Sequence, residues 1–267
     1  MSPMNASAQG AAIDVKGLRM AYGKKLIQED VEFSVAKGSV FIIMGGSGCG
    51  KSTLLKHMIG LLPPAAGQVL YGETDYWAAD VAAQDAIRRR FGVLFQGSAL
   101  FSTMTLAENV MLPMKLNGDR RQSAAERRDR AEELLGLVGL SHALDLLPNE
   151  ISGGMKKRAG LARALALQPE FLFLDEPSAG LDPISSRKLD ELILDLRERT
   201  GAAVLVVTHE LASLFAIGDD GIFLDAVSKK PIAHGAPKQL LDSCDHPFVR
   251  AFLRREVPPE GANDERE

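Results

Sequence analysis

Five short apolar runs punctuate the chain: "SVFII" at 39–43, "FGVLF" at 91–95, "FLFL" at 171–174, "AVLVV" at 203–207 and "IFL" at 222–224. Rich in β-branched and aromatic residues and lacking polar alternation, they predict strands buried on both faces, as in an α/β sheet layered by helices. Nearer the start, "IDVKGLRM" and "VEFSV" alternate apolar with polar positions, which predicts a half-exposed antiparallel sheet. Between Gln96 and Gln168 the strand signal stops and helical patterning takes over, with loop marks at Pro113, Gly118 and Pro148. That predicts a helical subdomain over about 97–168, inserted into the α/β core. After about Pro231 the pattern weakens into short helices. One of them, "HPFVRAFL", reads either as a docking segment or as a packed terminal helix.

A chain of 267 residues can bury a full core as one large domain or as one domain with an inserted lobe. Its ends read as a loose leader over 1–12 and a C-terminal segment over 242–267 finishing in the charged "VPPEGANDERE", leaving 13–241 as the working domain. Hydrophobic residues at 46% and charged residues at 25% exclude disordered and fibrous classes. A net charge of -4 argues against nucleic acid as a partner. The most apolar long stretch, "GAAVLVVTHELASLFAIG", carries His209 and Glu210 in its middle, so the chain is not expected to span a membrane by itself. Two cysteines, Cys49 and Cys244, are too few for a disulfide framework or a zinc site and fit a reducing, cytoplasmic setting. The basic clusters "IRRRFG" and "DRRQSAAERRDRAEE" read as solvated helix faces, with contact to anionic lipid or a permease as the alternative.

Chemistry enters at "FIIMGGSGCGKSTLLKHMIG", a strand, a glycine-rich turn and a helix in that order. Gly45, Gly50, Lys51 and Ser52 fill the phosphate-loop pattern, and the whole loop of Gly45, Gly46, Ser47, Gly48, Cys49, Gly50, Lys51, Ser52 and Thr53 is the expected cradle for a nucleotide. Glycines let successive N–H groups turn inward toward phosphate oxygens, and the following helix adds its positive end. Lys51 is expected at the β- and γ-phosphates and the Ser52 hydroxyl on Mg²⁺. Cys49 is either a small filler or a thiol that blocks the site when modified.

"FLFLDEP" ends a buried strand in two carboxylates, whose side chains leave a strand end in different directions. Asp175 is placed to hold the Mg²⁺ shell, and Glu176 to act as general base on the attacking water. His209, closing "VVTHE", is placed to bond the γ-phosphate or orient that water. Gln96, after "FGVLF", is placed to reach Mg²⁺ and the water. Each of the last two is weak alone. Together with the loop they cluster where open α/β sheets bind ligands, at the carboxyl ends of strands.

A second glycine-rich helix start, "ISGGM" at 151–155, is redundant for a chain that already has a phosphate loop. It stops being redundant if Ser152 caps the helix while Gly153 and Gly154 leave N–H groups bare for the nucleotide of another copy. Two copies packed head to tail would then complete each other's sites.

Taken together these residues resemble the ATP-binding cassette (ABC) ATPases. The likeness covers about 13–241 and rests, in family order, on Tyr22, the phosphate loop, Gln96, "SGG", "FLFLDEP", "AGLD" at 179–182 and His209. It implies a RecA-like phosphate-loop core, an N-terminal antiparallel β subdomain, ATP and Mg²⁺ as cofactors, and ATP hydrolysis in a nucleotide-sandwiched homodimer. It also implies that Tyr22 stacks on adenine, that Asp182 communicates across the dimer at the shared nucleotide site, and that the helical lobe receives a coupling helix from transmembrane permease subunits. The signature departs from the family in one place, with Met155 where Gln is usual. With "VLFQGSALFSTMTLAENV" and "GGMKKRAGLARAL" it looks like the ATPase subunits of MCE-type phospholipid transporters. The resemblance then implies a peripheral protein on the cytoplasmic face of the inner membrane, partnered by an MCE-domain lipid-binding protein. Met155 itself reads most simply as a packing residue. Another transporter class, for lipoprotein, amino acid or drug, is the alternative. A chromosome-type ABC ATPase would need coiled-coil or zinc insertions, a translation-type factor two cassettes, and a phosphate-loop kinase would have no use for "SGG".

Overall fold

The computed structural model describes residues 11–257. An antiparallel sheet is started by β1 (Ala11–Tyr22) and β2 (Lys25–Ala36), and the central sheet by β3 (Val40–Gly45), which runs through the phosphate loop into α1 (Lys51–Met58). Next come β4 (Ala66–Tyr71), β5 (Thr74–Asp75), α2 (Val81–Arg88) and β6 (Phe91–Leu94). The helical subdomain holds α3 (Leu106–Asn117), α4 (Ala124–Leu137) and α5 (Gly153–Ala164). The core resumes with β7 (Phe171–Asp175), α6 (Pro183–Thr200), β8 (Ala203–Val207), α7 (Leu211–Ile217), β9 (Asp220–Leu224) and β10 (Pro231–His234), then closes with α8 (Pro237–Ser243) and α9 (Pro247–Arg254).

The central sheet has the order β10-β9-β3-β8-β7-β6, with every neighbouring pair parallel except β10 against β9. Side chains alternate faces along a strand, and each face has its own core. Phe41, Ile43, Phe171, Phe173, Leu205 and Val207 point to the side covered by α1 and the antiparallel sheet. Val40, Ile42, Met44, Leu172, Leu174, Val204 and Val206 point to the helical side. This explains the unbroken apolar runs in the sequence: a polar residue at either parity would be buried without a partner, costing about 1–3 kcal/mol.

The smaller sheet has the order β2-β1-β4-β5 and is antiparallel throughout. Along β2, Val31, Phe33 and Val35 are buried while Glu32, Ser34 and Ala36 are exposed, as the alternation predicts. Helix starts follow their caps: Thr105 with Glu108 and Ser123 with Glu126 form reciprocal capping boxes at α3 and α4. Asp182 caps α6, Pro183 follows at its first position, and Gly201 closes it in the left-handed region.

Three expectations need correction. Pro113 marks no loop: it lies inside α3, where its missing N–H and ring cost roughly 3 kcal/mol in isolation. Burial of Leu106, Ala107, Val110 and Met114 offsets that, as does Asn109, whose side chain bonds four backbone groups of residues 101–105. The first strand begins at Ala11, inside the segment read as a leader, and Ala11 pairs with Ala36. Residues 1–10 lie outside those described. Beyond Pro231 the chain first adds β10, antiparallel at the sheet edge, before the short helices. Of the two readings of "HPFVRAFL", packing holds: Val249, Ala251 and Leu253 are buried, and Phe248 and Phe252 meet Phe223 edge-on. The charged tail, apart from Val257, lies outside the described residues.

Both basic clusters are engaged locally. Arg88 pairs with Asp85, Arg90 makes two bonds to Glu170 and sits over the Phe171 ring, and Arg128 pairs with Asp145.

Candidate active site

The loop between β3 and α1 has the shape its glycines allow. Gly45 adopts φ 142°, and a Cβ there would lie 2.4 Å from the Leu224 carbonyl oxygen. Gly50 caps α1 at φ 105°, where a Cβ would stand 2.7 Å from a methyl of Ile27. Neither place admits a side chain without displacing its neighbours. Buried Gln28 on β2 donates to the carbonyls of Cys49 at 2.8 Å and Asp225 at 2.6 Å, fastening the loop to both sheets. Lys51 Nζ donates to the carbonyls of Gly45 and Gly46 at 2.8 and 2.9 Å.

A cleft of about 540 Å³ opens over this loop. Gly45, Gly46, Ser47, Gly48, Gly50, Lys51, Ser52 and Thr53 form its floor, and Gln96, Glu176 and His209 its far wall. Cys49 belongs to the core instead: its side chain is only 1% exposed, and burial pushes its thiol pKa up. Of its two readings the geometry supports the filler. Tyr22 stands exposed where β1 turns into β2.

β6, β7 and β8 lie side by side, so residues just past their ends meet. Asp175, at the end of β7, accepts a hydrogen bond from Ser52 Oγ at 3.3 Å, and burial raises its carboxyl pKa. A hydroxyl and a carboxylate this close offer two of the hard oxygen donors that Mg²⁺ prefers. Among the described residues no group of three His, Cys, Asp or Glu side chains could hold a metal alone. A hydroxyl and one carboxylate beside a phosphate cradle fit Mg²⁺ carried in on a nucleotide.

Glu176 has φ 49°, uncommon for a residue with a side chain, and its N–H donates to the Val207 carbonyl at 2.8 Å. The carboxyl is buried. Its Oε1 lies 2.7 Å from His209 Nδ1, and its Oε2 is buried with no protein partner. A buried carboxylate oxygen without a partner costs about 1–3 kcal/mol or more. His209 keeps 56% of its side chain exposed, with its other ring nitrogen 3.8 Å from Glu210 Oε1.

Four expected site residues are elsewhere. Ser152, Gly153, Gly154 and Asp182 line a second cavity, of about 570 Å³, between the start of α5 and the start of α6. The two cavities share no lining residue. Ser152 Oγ accepts from the Met155 N–H at 3.3 Å, capping α5. A Cβ on Gly153 would meet nothing within 4 Å, and one on Gly154 only a Leu181 methyl at 3.6 Å. Nothing inside the chain therefore requires these glycines, in contrast to Gly45 and Gly50. Asp182 accepts from the N–H groups of Ile184 and Ser185, both at 3.0 Å, and bonds from Ser185 hold its carboxyl below the usual range. Met155 packs against the helical-side core.

Three residues escaped the sequence reading. Phe252 of α9 lines the phosphate cleft, Gln28 pins the loop, and buried Lys157 joins two walls of the site. The signal for Lys157 was present: it sits on the α5 face shared with Gly160, Leu161 and Ala164, which is otherwise buried and apolar.

Comparison with known proteins agrees with this geometry. The model of the ABC transporter family matches residues 28–179. The probable ribonucleotide transport ATP-binding protein mkl of Mycobacterium leprae is 40% identical over 97% of this chain and 73% of its own. The intermembrane phospholipid transport system ATP-binding protein MlaF of Haemophilus influenzae is 37% identical over 91% of this chain and 90% of its own. Among solved structures, the dimeric ABC transporter cassette MJ0796 superposes with a TM-score of 0.76 at 32% identity, over 83% of this chain and 97% of that one. The same cassette is also known as a post-hydrolysis dimer bound to ADP and Pi. A family model covering more than half the chain, relatives matched over at least nine-tenths of this chain, and a cleft over a phosphate loop at the strand ends of a cassette fold lead to one conclusion. The chain belongs to the ABC transporter family and is an ATP-binding, ATP-hydrolysing cassette that works with Mg²⁺.

Proposed function

We propose that this cassette powers a phospholipid transporter of the MCE type, docked on permease subunits at the cytoplasmic face of the inner membrane. The observation that carries the reading is the match to MlaF, which spans nine-tenths of both chains. The helical subdomain is the surface for the permease coupling helix, and an MCE-domain lipid-binding protein completes the assembly. Among the described residues no helix is long and apolar enough to cross a membrane. The mycobacterial relative, named for ribonucleotide transport, favours a second reading in which the same engine drives a different cargo.

In the cycle we propose, the N–H groups of the phosphate loop and Lys51 hold the phosphates of ATP, with Tyr22 against adenine. Ser52, Asp175 and Gln96 would hold Mg²⁺, which when bound would supply positive charge to the phosphates. Glu176, oriented by His209 through its 2.7 Å contact, takes the proton of the attacking water. Attack on the γ-phosphorus breaks the bond to the β-phosphate, giving ADP and phosphate. Ser152, Gly153 and Gly154 of a second copy close over the γ-phosphate, and Asp182 lies beside that junction.

The cargo is tested by purifying the tagged protein with its partners from detergent-solubilised native membranes and identifying bound proteins and lipids by mass spectrometry. Co-purification of a multi-span permease, an MCE-domain protein and phospholipid is the expected result. A permease recovered with neither would overturn the lipid reading and leave the ATPase reading standing.

A further inference from the structure

Lys157 is 6% exposed, unusually deep for a lysine. Its Nζ donates to the carbonyl of Gln96 and, at 2.9 Å, to the carbonyl of Glu176. Burying an ammonium against neutral carbonyls costs several kcal/mol before the bonds are counted, and a methionine would fill the same space without that cost. The lysine is therefore retained for what it joins. Gln96 and Glu176 follow the ends of β6 and β7, adjacent parallel strands, and no backbone bond between these two residues ties them together.

Helix α5 grips the same loop at a second point. Arg163 donates to the carbonyls of Ala99 at 2.7 Å and Ser98 at 2.8 Å. Ser98 and Ala99 hold φ of 61° and 48°, a conformation that side chains disfavour and that these bonds help to fix. Residues 96–99 and α5 thus form one clamped unit. Lys157 bonds this unit to Glu176, four residues along the helix from Gly153, a rise of roughly 6 Å.

We propose that Lys157 is a positioning residue that couples the hydrolytic groups of one nucleotide site, Gln96 and Glu176, to the α5 glycines that complete the other. A shift of Gln96 or Glu176 on binding or losing the γ-phosphate moves Lys157, and with it the start of α5 that faces the second copy. The idea rests on the proposed roles of Gln96 and Glu176, and its test separates the two.

Steady-state hydrolysis by the purified full chain is measured for the parent, Lys157→Met, Lys157→Arg and Glu176→Gln, with binding of a fluorescent ATP analogue measured alongside. Lys157→Met should lose tenfold or more in kcat while KM and analogue affinity stay within about twofold, and its Hill coefficient should fall from near two toward one. Lys157→Arg, which keeps the cation and its donors, should recover most of the rate. Should Lys157→Met not fold, Lys157→Gln gives the same comparison with Arg. Parental kcat and Hill coefficient in Lys157→Met, with Glu176→Gln inactive, would overturn the coupling alone. Proportionate loss of kcat and analogue affinity would reduce Lys157 to a structural role and also overturn it. Full activity in Glu176→Gln would remove the hydrolytic role that the coupling needs.

Discussion

Two buried carboxylates illustrate how environment sets a residue's task. Glu176 lines the nucleotide cleft with one oxygen on His209 and the other buried without a partner among the described residues, which leaves it an acceptor still open to a proton. Glu176→Gln keeps the shape but cannot take a proton, so kcat should fall by about a hundredfold or more with nucleotide binding unchanged. A variant turning over at the parental rate would remove Glu176 from the chemistry. Asp190 lies behind the site on α6, 5% exposed, with Oδ2 accepting from Ser213 Oγ at 2.9 Å and Oδ1 unpartnered. Burial pushes its pKa up to about 6. The folded protein then binds more protons than the unfolded chain between roughly pH 4 and 6, and stability declines as pH rises through that window, by at most about 3 kcal/mol. Asp190→Asn should flatten this decline relative to the parent in melts across pH 4 to 7, and identical pH profiles would refute it. The sequence disclosed Glu176 because a strand signal runs straight into it. It concealed Asp190 and Lys157, because "KLDELILD" and "MKKRAG" look like solvated helix faces until packing decides which charge is turned inward.

At the scale of elements, α5 explains the paired glycines. The space around Gly153 is open, so Gly153→Val should fold with a Tm within a few degrees of the parent. It should nevertheless lose hydrolysis, because the added side chain occupies the approach of a second copy's nucleotide. Full hydrolysis in Gly153→Val would show that the bare N–H groups serve no ligand. Ser152→Ala removes the cap and should cost about 1 kcal/mol of stability, read as a lowered urea midpoint. The central strands were legible because both faces are covered and their runs are wholly apolar. β4, β5 and β10 were not: "AGQVLY" is half polar, "TD" is two residues long, and "PIAH" opens with proline at a sheet edge. Pro113 misled because helix propensity is local, whereas the burial that holds α3 together is not.

On the scale of the whole molecule, the strand order β3-β8-β7-β6 brings the phosphate loop, His209, Glu176 and Gln96 to one edge. No pattern in the sequence specifies that order. The general rule that ligands gather at strand carboxyl ends was enough to place the residues together. It was not enough to show that Ser152, Gly153, Gly154 and Asp182 line a cavity of their own. We propose that the cleft with a phosphate loop but no signature, and the signature cavity with no phosphate loop, are two half-sites of one chain. The central claim is that each is completed by the other copy, as the dimeric relative suggests. The direct measurement is particle mass by light scattering for Glu176→Gln with ATP, with ADP, and with Gly153→Val added. The account predicts about twice the chain mass of 28.8 kDa with ATP, and the single-chain mass with ADP or in the double variant. A single-chain mass at saturating ATP, or a dimer indifferent to Gly153→Val, would contradict it.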